Sequence, residues 1–163
     1  MMPRVKLAYR YFSAVGLEKG VTMGFHIGEL DFYPSSGYLR FGLDTEVGYA
    51  GGRYDAWFFT TGGALGFQYP WRVTPFLEGR FDAGLLGGSA AGTTAVSWIY
   101  MGGLDTGIEL YVARRFYFTG AIGWVHSVYS GVDIDWVKAH PGLAPSRKDF
   151  SSDSFTVKVG VGL

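Results

Sequence analysis

Large apolar residues alternate with glycine or charged residues along most of this chain. Between Pro75 and Leu85 the odd-numbered positions are apolar or small, whereas Glu78, Arg80 and Asp82 occupy even-numbered positions. Successive side chains of a β-strand point to opposite faces, so a period of two predicts a strand with one apolar and one charged face. The pattern predicts eight strands, near 4–12, 21–33, 38–49, 56–69, 75–86, 97–111, 116–129 and 154–163.

The two faces of the predicted strands differ in both size and charge. One face carries bulky apolar side chains, such as Val21, Met23, Phe25 and Ile27 on the second strand. The opposite face carries many of the glycines together with charged residues. Eleven charged residues are predicted on this face: Lys6, Arg10, Arg40, Asp44, Glu46, Glu78, Arg80, Asp82, Asp105, Glu109 and Lys158.

Volume and charge indicate which face is enclosed. Eight strands that close into a barrel leave an interior just wide enough for side chains, and the Trp, Phe and Tyr side chains of the apolar face would overfill it. Charges on a lipid-facing surface would cost about 2–4 kcal/mol each near the midplane. We therefore predict an all-β fold, an eight-stranded antiparallel up-and-down transmembrane barrel, with the charged face inside and the apolar face towards lipid.

The predicted connections alternate in length. Those at 34–37, 70–73 and 112–115 are tight, whereas those at 13–20, 50–55, 87–96 and 130–153 are longer. Outer-membrane barrels have short periplasmic turns and longer extracellular loops. This alternation therefore predicts a turn end facing the periplasm and a loop end facing the exterior.

Aromatic residues of the apolar face cluster towards both ends of the strands. Tyr and Trp are enriched at membrane–water interfaces, where rings with one polar edge lie at headgroup level. Two girdles are predicted, one towards the loop end (Tyr11, Tyr49, Trp57, Trp98, Tyr100 and Trp124) and one towards the turn end (Tyr33, Tyr38, Tyr69, Trp71, Tyr111 and Phe116).

Amino-acid composition argues against several classes of function, among them nucleic-acid binding and metal binding. The 163 residues suit a single domain, 1–163, and fourteen acidic residues balance fourteen basic ones. This balance gives no basic footprint for nucleic acid. The chain has no cysteine and three dispersed histidines, so we predict no disulfide, metal site or cofactor. Met1 and Met2 lead directly into a strand without a signal-peptide pattern, and we expect a mature secreted chain carrying a starter methionine.

Over its whole length the chain resembles the small eight-stranded outer-membrane barrels of the OmpA, OmpX and opacity-protein type. The resemblance rests on the alternating strands, the strand start at 74–79, the hairpin half at 103–115 and the closing segment 155–163. The closing segment is similar to the C-terminal assembly signal of this family, with Leu163 in place of a terminal aromatic. The resemblance implies the outer membrane of a Gram-negative bacterium, reached after signal-peptide removal, with the lipid bilayer and lipopolysaccharide as partners.

The charged interior admits two interpretations. Five basic and six acidic side chains nearly balance, which favours ion pairs that plug the barrel. The alternative is a narrow passive channel for ions or small solutes, which would more naturally carry an excess of one sign.

His126 is the one histidine with a catalytic alternative. Outer-membrane lipid A deacylases resemble this chain in size and use a His and a Ser two positions apart on one strand face, with a Glu. Here Ser127 is adjacent to His126 and points the other way, and no Glu lies nearby in sequence. We therefore predict no catalytic residue and a non-enzymatic protein, with a lipid A-modifying enzyme as the alternative.

The long polar segment 130–153 is the strongest candidate for recognition. It mixes both charge signs with one tryptophan, Trp136, and loops at the ends of rigid barrels commonly carry binding functions. We expect this segment to contact lipopolysaccharide or a protein partner, either alone or within a larger envelope assembly.

Overall fold

The computed structural model of the protein is a closed barrel of eight antiparallel strands in sequence order, which confirms the predicted fold. The structure describes residues 3–18, 21–34, 37–50, 55–90, 93–132 and 147–163. The strands are β1 Pro3–Glu18, β2 Val21–Pro34, β3 Leu39–Ala50, β4 Asp55–Gln68, β5 Val73–Ala90, β6 Thr93–Tyr111, β7 Tyr117–Val132 and β8 Arg147–Gly162.

The first and last strands close the sheet on itself. Lys6 pairs with Gly162 and Arg10 with Lys158, and at the turn end the backbones of Val5 and Leu163 exchange hydrogen bonds of 3.0 and 2.9 Å. A closed ladder leaves no strand edge, so its backbone polar groups can be satisfied within hydrocarbon. Among the described residues, no helix is long and apolar enough to cross a membrane.

The exterior of the barrel is apolar and its interior is polar. Leu43 is 68% exposed, Phe81 60% and Phe155 83%, whereas the alternating residues Asp44, Asp82 and Thr156 are almost completely buried. Water-soluble proteins place large apolar side chains inside and charges outside. The inverted arrangement matches a wall that faces lipid, as the alternation predicts.

The second strand departs from the predicted facing. Ile27 is 1% exposed and lies inside, whereas Leu30 and Phe32 are exposed and Asp31 is fully buried. The large apolar residues occupy odd-numbered positions before Gly28 and even-numbered positions after it. The predicted facing used the odd-numbered positions. The β1–β2 pairing runs without interruption from Pro3↔Pro34 to Val15↔Thr22, so no bulge absorbs the slip and the later half sets the facing. The side chains of Val21, Met23 and Phe25 lie outside those described.

The strands at the loop end extend further than predicted. β7 continues to Val132 and β8 begins at Arg147, so much of the segment predicted as a loop at 130–153 is paired sheet, from Tyr129↔Phe150 to Val132↔Arg147. The β5–β6 hairpin likewise pairs to Ala90↔Thr93. These stretches are rich in Gly, Ser and Thr and lack alternating apolar residues. Only contact with lipid requires that alternation, so strands beyond the lipid do not show it in the sequence. Residues 133–146, including Trp136, lie outside the described residues.

Candidate functional site

The interior of the barrel holds a network of buried charges. All eleven predicted interior residues are at most 7% exposed. Arg40 joins two strands by contacting Glu78 and Glu109, each at 2.5 Å, and its guanidinium stacks 4.1 Å from the Phe76 ring. The Nζ of Lys158 lies 3.4 Å from Glu78. Cross-barrel ion pairs therefore occupy the turn-side half of the interior.

Arg80 and Asp105 are the hubs of this network. The Arg80 Nη2 atom lies 2.7 Å from Glu46, 2.8 Å from Asp82 and 3.4 Å from Asp44, and Nη1 lies 3.7 Å from Asp105. Asp105 Oδ2 also lies 2.8 Å from Arg10 Nη2 and 3.2 Å from Lys158 Nζ. One guanidinium thus faces four carboxylates, and one carboxylate faces three cations.

Asp31 also belongs to the network, although it is not among the eleven predicted interior residues. It is fully buried and forms an ion pair with Lys6, its register partner on β1. The uninterrupted alternation of Leu30, Asp31 and Phe32 was the signal that could have placed it inside. Among the side chains that the structure describes, buried acids then outnumber buried bases, seven to five: Asp31, Asp44, Glu46, Glu78, Asp82, Asp105 and Glu109 against Lys6, Arg10, Arg40, Arg80 and Lys158.

Towards the loop end the interior contains an apolar cluster, beside buried Ser127, Ser152 and Ser154. On β2, β5 and β6, which carry both kinds of residue, the apolar members lie nearer the loop end than the buried charges, and with residues of β4 and β7 they form one packed cluster. We call the ion-paired half the charged tier and this cluster the apolar tier, which comprises Ile27, Phe58, Ile99, Met101 and Val125 with Ala56, Leu86 and Tyr129 packed against it.

Tyr111 differs from its predicted place in the turn-end girdle. Its neighbour Glu109 is buried and Leu110 is exposed, so Tyr111 points inward. Its hydroxyl donates to Glu109 Oε2 at 3.0 Å and accepts from Arg4, and its ring lies 4.9 Å from buried Tyr117. Alternation continued past Leu110 would have shown this, because 109 and 111 share a face. These residues close the turn end of the interior.

The remaining girdle residues lie at the exterior where their side chains are described. All six predicted at the loop end are exposed, from Trp124 at 40% to Trp98 at 62%. At the turn end Tyr38, Tyr69 and Trp71 are exposed, and the Tyr69 ring centroid lies 5.8 Å from that of Tyr38 and 5.7 Å from that of Trp71. Half-buried Phe116 packs on Phe118. The side chain of Tyr33 lies outside those described.

At the loop end, His126 has an acidic partner that sequence proximity did not reveal. The β7–β8 register sets His126 opposite Asp153, and His126 Nδ1 lies 3.0 Å from Asp153 Oδ1 on the exposed outer surface. The imidazole also stacks on Trp124 at 6.2 Å. A histidine held by a carboxylate through Nδ1 has the orientation of a general base.

The nucleophile that such a pair would need is not beside it. Val128 occupies the same-face position two residues along the strand, and Ser127 is 2% exposed and faces the interior. Two exposed hydroxyl residues lie opposite Val128, Ser151 on β8 and Tyr100 on β6. Within the described residues, no group of three or more His, Cys, Asp or Glu residues could hold a metal ion.

The overall shape has close counterparts among solved structures. Neisserial surface protein A (NspA) superposes with a TM-score of 0.73 at 14% identity, covering 99% of this chain and 96% of its own. The fold is that of the small outer-membrane barrels. The attachment invasion locus protein Ail of Yersinia pestis gives 0.58 at 8% identity, covering 98% and 95%. The outer membrane enzyme PagL gives 0.54 at 13%, covering 95% and 97%. No protein-family model and no curated protein sequence matches this chain.

Proposed function

We propose that this protein is a non-enzymatic integral barrel of a Gram-negative outer membrane, with a plugged interior and a loop end that presents a binding surface to the exterior. The observation that carries the proposal is the pairing of an apolar exterior with an interior filled by the charged and apolar tiers. Such a wall suits a rigid support within a bilayer rather than a pore. The shared fold with outer-membrane barrels supports the location.

The loop end suits presentation because its strands continue beyond the girdle. β7 runs eight further positions from Trp124 to Val132, and β8 pairs with it over the same stretch. At roughly 3.3 Å per residue and a tilt of about 40°, this ribbon rises about 20 Å beyond the girdle. In the sequence, residues 133–146 lie between these two strands, and we propose them as the part that contacts lipopolysaccharide or a protein partner.

Planar-bilayer recording tests the plugged interior. We expect purified wild-type protein to insert without a stable conductance, because both tiers block the axis. Heat-modifiable migration on SDS electrophoresis provides the control that the recorded protein is folded. A steady, well-defined open state in folded protein would instead establish the narrow passive channel.

The alternative of a lipid-modifying hydrolase is favoured by one observation, the exposed His126–Asp153 pair. The His126–Asp153 pair has no nucleophile at the neighbouring same-face position, which Val128 occupies. We therefore expect His126→Ala to leave lipid A unchanged. Mass spectrometry of lipid A from cells producing wild type, His126→Ala or Ser151→Ala decides the question. An acyl chain missing in wild-type cells and restored by either substitution would make the protein an enzyme.

A further inference from the structure

We propose that the turn end of the barrel binds the phosphate of an anionic glycerophospholipid, of the phosphatidylglycerol class, in the leaflet that borders it. The proposal rests on the orientation given under the proposed function, in which the turn end faces the periplasmic leaflet. It concerns a different surface from the loop end, so the two can fail independently.

The exposed charge at this end has one sign. The turn segments 34–38, 69–72 and 112–116 contain three arginines, Arg72, Arg114 and Arg115, and no acidic residue. All three arginines are exposed. Arg4 adds a fourth guanidinium, 31% exposed, although Glu109 lies 3.8 Å from it. At the loop end, by contrast, Asp149 and Asp153 are exposed.

The fold brings the three arginines onto neighbouring turns. The amide of Tyr111 donates to the carbonyl of Arg72 at 2.9 Å, which places the β4–β5 turn beside the start of the β6–β7 turn. The β6–β7 turn is held by the amides of Val112 and Ala113, which donate to the Phe116 carbonyl at 3.1 and 3.2 Å. Arginines 42 positions apart in sequence thereby share one patch of the rim.

The depth of this patch matches a lipid phosphate. Arg72 directly follows Trp71, which is 74% exposed in the turn-end girdle, and Arg115 directly precedes Phe116. Interfacial aromatics mark headgroup level, so guanidinium groups adjoining them reach the phosphate layer. Guanidinium binds phosphate through two parallel N–H donors, and the turn segments that carry Arg72, Arg114 and Arg115 contain no acidic residue.

The rim turn that carries Arg72 is internally braced. Thr74 Oγ1 donates to the Trp71 carbonyl at 2.6 Å, and the Trp71 amide donates to Thr74 Oγ1 at 3.2 Å. The amide of Tyr69 donates to the Pro75 carbonyl at 3.0 Å. A fixed backbone lowers the ordering cost of a bound headgroup, which favours a retained lipid over diffuse attraction.

Native mass spectrometry of protein released from micelles doped with equal amounts of phosphatidylglycerol and phosphatidylcholine, with identical acyl chains, tests the proposal. We expect wild type to retain phosphatidylglycerol about tenfold more than phosphatidylcholine, in keeping with several arginines acting together near a membrane surface. The triple variant Arg72→Gln/Arg114→Gln/Arg115→Gln should lose this preference, and the double variant Asp149→Asn/Asp153→Asn should keep it. Raised salt should weaken retention.

Two results would overturn the proposal. One is equal retention of both lipids by wild type, and the other is an undiminished preference in the triple variant. Lipid A offered in place of phosphatidylglycerol tests a different occupant. If lipid A is retained while phosphatidylglycerol is retained no more than phosphatidylcholine, the first of these results holds and the proposal fails. Heat-modifiable migration of each variant shows that the barrel has folded, so a lost preference cannot arise from misfolding.

Discussion

The two tiers of the interior fill the same barrel by opposite means. In the charged tier Arg80 contacts four carboxylates and Asp105 three cations, so each group depends on specific partners. In the apolar tier Phe58, Ile99 and Met101 pack without directional bonds. A charge that loses its partner is stranded in a low dielectric, whereas an apolar side chain that loses a neighbour leaves a void. The tiers should therefore respond differently to truncation.

The largest expected effect is that of Arg80→Ala. Removing the guanidinium leaves Asp44, Glu46 and Asp82 facing one another without their shared cation, so the free energy of unfolding should fall by about 3–5 kcal/mol. Urea unfolding in lipid vesicles, followed by tryptophan fluorescence, measures the change.

Arg72→Ala is the matched control for this substitution. It removes the same side chain from an exposed turn, and in phosphatidylcholine vesicles, which offer Arg72 no anionic lipid, it should alter the free energy of unfolding by no more than about 0.5 kcal/mol. Equal effects of the two substitutions would contradict the importance of the buried network.

A smaller loss is expected from truncation in the apolar tier. Phe58→Ala should lower the free energy of unfolding by about 3 kcal/mol, because it creates a void that the neighbouring strand can partly fill. Gly48 faces the Phe58 ring so closely that a Cβ there would overlap it. The large residue and the glycine therefore form one packing unit.

Conductance measurements on the Phe58→Ala variant distinguish the contributions of the two tiers to sealing the interior. Phe58→Ala should remain closed in planar bilayers, because the charged tier still blocks the axis below the void. A conducting Phe58→Ala barrel would show that the apolar tier alone seals the interior.

Alternation within single strands was sufficient to predict the fold and eleven residues of the charged tier, but not Asp31. Glu78, Arg80 and Asp82 alternate with apolar residues on one strand. Because one side of the wall contacts lipid and the other encloses a narrow interior, only the arrangement with the charges inside is consistent with this alternation. On the second strand the apolar positions change from odd to even at Gly28, so the sequence is compatible with two opposite facings. The alternation of Leu30, Asp31 and Phe32 favours the facing that the structure has, and the unbroken pairing with β1 extends that facing to Ile27.

Features that depend on pairing between strands were beyond the sequence. His126 and Asp153 are 27 positions apart, and they meet because of the β7–β8 register. The length of the β7–β8 ribbon was also hidden, because strands above the lipid band keep their backbone hydrogen bonds but need no apolar alternation. Tyr111 is a different case, because its shared parity with Glu109 was present in the sequence and the prediction followed its residue type instead.

The smallest expected effect compares two glycines on opposite faces. A Cβ at Gly62 would overlap the Phe81 carbonyl and the Asp82 side chain in the charged tier, whereas a Cβ at Gly28 meets nothing within 4 Å. Gly62→Ala should therefore lower the free energy of unfolding by about 1–3 kcal/mol through overpacking. Gly28→Ala should change it by no more than about 0.5 kcal/mol. Vesicle unfolding of the two variants checks the pair. If both alanines are tolerated equally, the interior has space that the tiers do not fill, and the plugged barrel would have to be abandoned.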